Sequence, residues 1–413
     1  MRSIYNFAIA AFPLALRMIA PFHKKAKLML DGRRGWETQV RNAQLKDQVV
    51  WVHCASLGEF EQGKPIIGSI KSQHPERQIL VTFFSPSGFE NSKDHAQADL
   101  VLYLPFDKHR EVKRFLDLIR PKLAVFIKYE FWYNYLLELK AREIPAFLVS
   151  GIFRQDQKFF KRGWPFFRDM LSCFTHFYVQ NEVSKELLNA IGLQNVSVSG
   201  DTRFDRVVEI CKNPNRIELA EKFAVDKPVM VVGSSWPNDM EVLYPIINEA
   251  KLDMKYIIAP HEIGSLKIQK LLEGLHCEYQ LFSEADKGSI PGASVLVIDN
   301  IGMLSSLYQY GNLAYVGGAF GAGLHNILEA ATFGMPILFG KGKDNHKYQE
   351  AIDLVSSGGA FEIQSSEEII EIVKKLFSDA GALQKASQIS ASYAKDKAGA
   401  TELFMRGISQ YLR

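Results

Sequence analysis

Residues 49–63 read VVWVHCASLGEFEQG. An apolar run, VVWVH, gives way to the small residues CASLG, and Glu59 follows where a helix should begin. This is the signature of a buried strand, a tight loop and a helix. Two explanations fit the carboxylate at that junction. A first-turn acid is favoured by the helix dipole. Alternatively, a short loop at the carboxyl end of a strand holds out a general base.

The same unit recurs along the chain. Short apolar runs at 79–84 (ILVTFF), 100–105 (LVLYLP), 123–128 (LAVFIK), 146–151 (AFLVSG), 176–181 (HFYVQN) and 196–200 (VSVSG) are spaced by helical segments. Their apolar character is continuous rather than alternating, which marks strands covered on both faces and hence a parallel sheet. A polar stretch, DTRFDRVVEICKNPNR (201–216), interrupts the series. It resumes at 228–234, 255–260, 294–299, 312–318 and 336–340, and residues 365–413 are almost entirely helix-like. The expectation is an α/β protein of two tandem, doubly wound, Rossmann-like domains joined near 201–216. The expected divisions are an N-terminal segment 1–34, a first domain 35–205 and a second domain 206–413.

Bulk properties narrow the function. The 413 residues suffice for two cores. The 49 Lys and Arg against 46 acids give a net charge of only +3, which provides no electrostatic case for nucleic-acid binding. The four cysteines are scattered, with no C-x-x-C pair, so neither a zinc site nor a disulfide framework is indicated. Residues 4–16, IYNFAIAAFPLAL, carry no charge and are followed by Arg17, Lys24, Lys25, Lys27, Arg33 and Arg34. A helix over 4–20 would be roughly 25 Å long, short of the ~30 Å hydrocarbon core. Pro13 and Arg17 weaken a spanning reading further. The pattern fits an interfacial anchor whose basic cluster meets anionic headgroups. A helix packed on its own domain is the other reading.

In doubly wound sheets, ligands bind beyond the carboxyl ends of the strands. Between two facing domains, such loops would converge on one cleft. Candidate residues therefore lie in the loops. In GGAFGAGLHNILEAATFGMPILFG (317–340), the glycines, Gly318 among them, and a helix start near His325-Asn326 offer backbone amides to a phosphate. Glu329, one turn on, is placed to accept from ribose hydroxyls. The spacing is not G-x-G-x-x-G. Ser234 and Ser235 in VVGSSWPND have the same strand-to-helix logic, with a plain helix cap as the alternative. His261 in APHEI follows a strand, and Gly302 and Met303 sit at another strand-to-helix turn, where backbone groups can read a base edge. Glu130 follows the run at 123–128 and precedes Phe131, Trp132 and Tyr135, read as packing or lipid-facing residues. Arg203 lies at the domain junction. No D-x-D motif for a nucleotide-bound metal is present.

Taken together, WVHCASLGE, KYEFW, GDTRFD, APHE and VGGAFGAGLHNILEAATFGMPILFG resemble the 3-deoxy-D-manno-octulosonic acid (Kdo) transferases of Gram-negative bacteria. The resemblance runs in order over nearly the whole chain. It implies the GT-B glycosyltransferase architecture, and transfer of Kdo from CMP-Kdo to a lipid A precursor of the lipid IVA type in lipopolysaccharide biosynthesis. The transfer would invert the anomeric centre. Glu59 would be the general base, with Glu130 and Arg203 stabilising the transition state. CMP contacts would fall on Pro260 and His261, on Ile301, Gly302 and Met303, and on Asn326, Ile327, Leu328 and Glu329. No metal or other cofactor is implied. The cytoplasmic face of the inner membrane is the expected location. A GT-B transferase or epimerase using a UDP-sugar is the alternative.

The chain departs from the family pattern at four places. Pro260-His261-Glu262 stands where relatives carry P-R-H, Met303 replaces an acid, N-I-L-E replaces N-P-L-E, and GSSWPND replaces a more acidic, Thr-containing loop.

Overall fold

A computed structural model describes residues 1–46, 48–161, 164–249, 251–284 and 292–413. The chain divides into two units, Met1–Arg206 with Ala398–Arg413, and Val207–Lys397.

The first unit holds seven strands: β1 (Val49–Cys54), β2 (Ile79–Phe83), β3 (Leu100–Tyr103), β4 (Pro121–Ile127), β5 (Ala146–Gly151), β6 (His176–Val179) and β7 (Val196–Val198). They form one sheet in the order β3-β2-β1-β4-β5-β6-β7, and every pairing is parallel. The continuous apolar runs are explained by which face each residue serves. Val49 and Trp51 join one core with Leu80, Ala124 and Phe126. Val50, Val52 and Cys54 join another with Val81, Val125 and Ile127. Successive side chains point to opposite faces, and both faces are dry, so no position in β1 is free to be exposed. Burying each such side chain stabilises the fold by about 1.5–3 kcal/mol.

The second unit repeats the plan with β8 (Val229–Ser235), β9 (Lys255–Pro260), β10 (Tyr279–Leu281), β11 (Val295–Val297), β12 (Leu313–Val316), β13 (Ile337–Gly340) and β14 (Ala360–Ile363). Their order is β10-β11-β9-β8-β12-β13-β14, again parallel throughout. The two strands that the apolar runs do not predict, β10 and β14, are the two edges of this sheet. Tyr279 is exposed and Phe361 and Glu362 are only half-buried, so no continuous apolar run marks them.

The polar stretch after residue 200 contains a helix, Thr202–Lys212, and the unit boundary between Arg206 and Val207 falls within it, one residue from the expected division. The last helix, Ala400–Leu412, belongs to the first unit rather than the second. Phe404, Met405, Ile408 and Leu412 enter the core formed by Val50, Val52 and Ile66. An amphipathic stripe states that a face is buried, and the partner is fixed only by tertiary packing.

The N-terminal segment 1–34 is part of the first unit. Its first helix, Arg2–Ile19, runs through Pro13. Among the described residues no helix is long and apolar enough to cross a membrane, so this helix supplies no membrane span. One face is docked: Tyr5 donates to Asp107 at 2.6 Å, and Pro13 and Leu16 are buried. The other face is apolar and open. Ile4, Phe7, Leu14 and Met18 are 58–76% exposed, and Phe22, just beyond the helix, is 92% exposed.

Candidate active site

In the first sheet the chain runs from β1 out to β3, then returns to place β4 on the other side of β1. The carboxyl ends of β1 and β4 flank this switch point, the place where doubly wound sheets open a crevice. Glu59, in the helix that follows β1, and Glu130, in the loop that follows β4, stand just beyond these two strands.

Glu59 occupies the first turn of the helix Leu57–Gln73. Ser56 precedes that helix, and its hydroxyl donates to Glu59 Oε2 at 2.8 Å. The spacing Ser56-x-x-Glu59 is that of a capping box, but the Ser56 hydroxyl is turned to the carboxylate and does not cap the helix. Burial pushes its pKa up. The Ser56 hydroxyl opposes this, the negative charge of Glu130 adds to it, and Lys128 again opposes it. A carboxylate raised in this way is a better proton acceptor than an exposed one.

Glu130 is held more tightly. Its Oε2 receives Trp132 Nε1 at 2.7 Å and lies 2.9 Å from His53 Nε2. On the other side of the ring, His53 Nδ1 lies 2.8 Å from Thr82 Oγ1, which receives Trp51 Nε1 at 2.8 Å. Trp51 donates to Thr82. The His53 ring also has Nδ1 3.1 Å from Thr82 O and Nε2 3.1 Å from Trp132 Nε1, so both of its nitrogens are engaged. His53 and Thr82 are fully buried register partners on β1 and β2. Lys128, at the turn between β4 and Glu130, takes a left-handed backbone with φ of 67°, uncommon outside glycine.

Neither His53 nor Trp132 was singled out from the sequence as a site residue. The signal for His53 was a lone polar residue in a strand otherwise buried on both faces. Trp132 was read as packing or lipid-facing, but its indole N–H is a fixed donor to Glu130. Phe131 and Tyr135 do pack, Phe131 against Phe159 at 4.9 Å and Tyr135 fully buried.

Arg203 stands in the first turn of the helix Thr202–Lys212. Its Nε donates to Asp201 Oδ2 at 2.8 Å, and its backbone amide to Oδ1 at 2.9 Å. Gln62, one turn after Glu59, donates to the same Asp201 Oδ1 at 2.8 Å. The guanidinium is thus anchored through Asp201 to the helix that carries Glu59.

In the second sheet the switch point lies between β8 and β12. Asp239 fastens the loops after these strands together. Its carboxylate accepts from Trp236 N at 2.8 Å, Gly318 N at 2.9 Å and Tyr315 Oη at 2.9 Å. Burial raises its pKa against the pull of those three donors. This corrects the expected role of Gly318, because its amide is committed to an internal anion and not turned to a phosphate. The amides of Gly321 and Gly323 close on Gly318 O, and that of His325 on Gly317 O. Ser235 is the better-placed candidate of the β8 pair. Its hydroxyl is buried and has no hydrogen-bond partner. Ser234 lies within β8 at the irregularity between Gly233 and Ser235, with φ of 52°.

Trp236, His261 and His325 form a stack. His261 lies 4.6 Å from Trp236 and 4.5 Å from His325, ring centre to ring centre. Trp236 Nε1 donates to His325 Nε2 at 2.9 Å, so the neutral His325 ring carries its proton on Nδ1. Burial, then the neighbouring His261, hold its pKa down at about 4. The sequence marks Trp236 for no role and His325 only as part of a helix start. Their pairing joins residues 89 positions apart, which no local pattern reveals.

The regular helix after the glycine loop is Leu328–Thr332, shorter and later than the expected start near His325-Asn326. Glu329 is therefore in its first turn and not one turn on. It receives Asn326 Nδ2 at 3.1 Å. Ile327 and Leu328 are buried as whole residues, so the structure does not present them to a ligand as expected. Around Gly302, with φ of 87°, the loop is open, and Ile301 is 84% exposed. Pro260 ends β9.

Known proteins share sequence and fold with this chain. Residues 29–206 match the family described as 3-deoxy-D-manno-octulosonic-acid transferase (kdotransferase). The chain is 28% identical to the 3-deoxy-D-manno-octulosonic acid transferase of Aquifex aeolicus over 336 residues, 80% of this chain and 86% of that one. It is 25% identical over 375 residues to a bifunctional glycosyltransferase/methyltransferase of Fusobacterium nucleatum, covering 88% of this chain but only 58% of that protein. The UDP-GlcNAc 2-epimerase of Neisseria meningitidis shares the GT-B fold, with a TM-score of 0.60 at 16% identity over 88% of this chain and all of that one. The epimerase likeness concerns the fold alone, whereas the sequence matches extend across both units. Over residues 29–206 the chain matches the Kdo transferase family, and its curated relatives of that name are similar to it across both units.

Proposed function

We propose that the protein transfers Kdo from CMP-Kdo to a lipid A precursor of the lipid IVA type, with inversion, at the cytoplasmic face of the inner membrane. The observation that carries this reading is the placing of two carboxylates after the strands that flank the β1/β4 switch point, where the charge of Glu130 acts on Glu59. Glu59 has a raised pKa and Glu130 is fixed by the His53 and Trp132 rings.

In this reading Glu59 takes the proton from the acceptor's sugar hydroxyl, a poor nucleophile until deprotonated. Attack on the anomeric carbon and departure of CMP build positive charge on the sugar and negative charge on the phosphate. Glu130, kept in place by His53 and Trp132, faces the first charge. Arg203, oriented by Asp201, meets the second. An inverting displacement needs one base and no covalent intermediate.

The second unit binds the nucleotide. Pro260, His261 and the backbone at Ile301, Gly302 and Met303 frame the base. Asn326 and Glu329 hold the ribose, and the unpaired Ser235 hydroxyl reaches a phosphate oxygen. His325 is held neutral, so it orients the stack and does not act as a cation. The open apolar face of the helix Arg2–Ile19, flanked by Arg17, Lys24, Lys25 and Lys27, lies in the headgroup region of the bilayer.

The test is direct. The purified protein is incubated with CMP-Kdo and a tetraacylated lipid A precursor, and the products are weighed by mass spectrometry. Addition of one or more Kdo masses with release of CMP is expected. Turnover of a UDP-sugar in place of CMP-Kdo would overturn the assignment.

A further inference from the structure

The docked face of the N-terminal helix leads by two separate routes to the segment that carries Glu130. The first route is aromatic. Phe12 stacks on Phe84 at 6.2 Å, and Phe84 lies against Trp132 at 4.8 Å, ring centre to ring centre. Trp132 is the residue that donates to Glu130. Arg33 clamps the middle of this route. Its buried guanidinium donates to Phe84 O at 2.8 Å and sits 5.0 Å above the Phe84 ring.

The second route is polar. Tyr5 donates to Asp107 Oδ2 at 2.6 Å. Asp107 accepts the backbone amides of Asn134 at 3.0 Å and Tyr135 at 2.9 Å, at the start of the helix Tyr133–Ala141. Asn134 also donates to Asn6 Oδ1 at 2.9 Å. The two routes grip residues 132–135 immediately after Glu130. A helix needed only to hold the protein at a surface has no use for two sets of contacts to a catalytic loop.

We propose that the N-terminal helix positions the catalytic site, with Phe12 and Phe84 as positioning residues that fix Trp132 and through it Glu130, and Tyr5 as the residue that, through Asp107, fixes the start of the helix Tyr133–Ala141. The helix therefore acts on turnover as well as on location. This rests on the reading of Glu130 as a transition-state residue.

The test separates turnover from attachment. Phe12→Ala, Phe84→Ala and Tyr5→Phe are assayed with the acceptor in detergent micelles at saturation, so that bilayer attachment no longer limits the rate. Vesicle sedimentation and thermal melting are measured alongside. A fall in kcat of roughly 10- to 100-fold is expected for Phe84→Ala, since small misplacements of a catalytic group cost up to about this much. KM for CMP-Kdo and vesicle binding should be retained, and Phe84→Tyr should restore kcat. Phe84 is only half-buried, and Phe12→Ala gives a second, more exposed site should Phe84→Ala melt early. Folded Phe12→Ala and Phe84→Ala variants with wild-type kcat would overturn the proposal, as would a loss confined to vesicle binding. Glu130→Gln, run in parallel, tells the two failures apart. If it retains turnover, the reading of Glu130 has failed. If it loses turnover while the aromatic variants do not, the positioning role has failed.

Discussion

His53 Nε2 lies 2.9 Å from Glu130 Oε2, and this contact joins the middle of the first sheet to the loop after β4. His53 is fully buried, and its other nitrogen is satisfied by Thr82. Replacing it by an apolar residue of similar size strands two partners at once. His53→Leu should lower stability by about 1–3 kcal/mol, the cost of an unsatisfied buried polar group. It should also lower turnover, while CMP binding is kept. Urea titration and steady-state kinetics give both numbers, and wild-type turnover in a destabilised but folded variant would cut the link between this contact and catalysis.

Glu59→Gln keeps the size of the side chain and its capacity to accept from Ser56, but it cannot take a proton. Loss of a general base typically costs 10²–10⁴-fold, or roughly 3–5 kcal/mol of barrier. An acid serving only the helix start would cost about 0.3–1 kcal/mol of stability and leave the rate alone. The rate with both substrates saturating decides between them. A folded variant with more than about a tenth of wild-type turnover excludes the base.

Nucleotide binding belongs to other residues. Glu329→Ala should weaken CMP binding by about 1.5–3 kcal/mol, the range for hydrogen bonds to charged groups, whereas Glu59→Ala should leave it unchanged. Calorimetric titration of both variants with CMP measures this. Equal losses would remove the division of labour between the two units.

Asp107 should leave a mark on the pH dependence of stability. Burial raises its pKa from 3.8 to about 7, against the hydrogen bonds from Tyr5, Asn134 and Tyr135. Between those values the folded state binds a proton that the unfolded chain has released, so this group's contribution falls as pH rises from about 4 to 7. The full shift caps the loss at about 4 kcal/mol. Asp107→Asn, which retains an acceptor oxygen without the charge, should flatten that part of the stability curve. Thermal melts at pH 4.5 and pH 8 for both proteins supply the comparison, and parallel curves would show that Asp107 does not titrate in this window.

Phe7→Ser and Leu14→Ser alter the open face of the N-terminal helix without touching its docked face. Each side chain leaving a lipid surface forfeits about 1.5–3 kcal/mol, so each change should reduce partitioning to anionic vesicles by tenfold or more. Salt should weaken the remaining attraction, which is screened within about 8 Å at physiological ionic strength. Sedimentation with vesicles reads both effects, and salt-insensitive binding in both variants would argue against an interfacial role for this helix.

Most of the architecture was legible in the order of residues. Runs such as VVWVH and LAVFIK are apolar at every position because each strand is covered on both faces, and that requirement is local. It located the central strands of both sheets, their parallel sense, and the loops where Glu59, Glu130 and His261 stand. β10 and β14, with Tyr279 exposed and Phe361 and Glu362 only half-buried, carried no such mark, whereas the first sheet's edges, β3 and β7, did. The terminal helix showed its apolar stripe but not its partner, which is set by the space left beside Val50 and Ile66 in the first unit. The chemistry of the site depended still more on the third dimension. His53 meets Glu130 across 77 positions, Asp239 takes the amide of Gly318 across 79, and Trp236 meets His325 across 89. The sequence could place a carboxylate at the end of a strand. Which ring holds that carboxylate, and which amide is already spent on an internal anion, follow from strands brought side by side, because a hydrogen bond is decided by angstroms and not by distance along the chain.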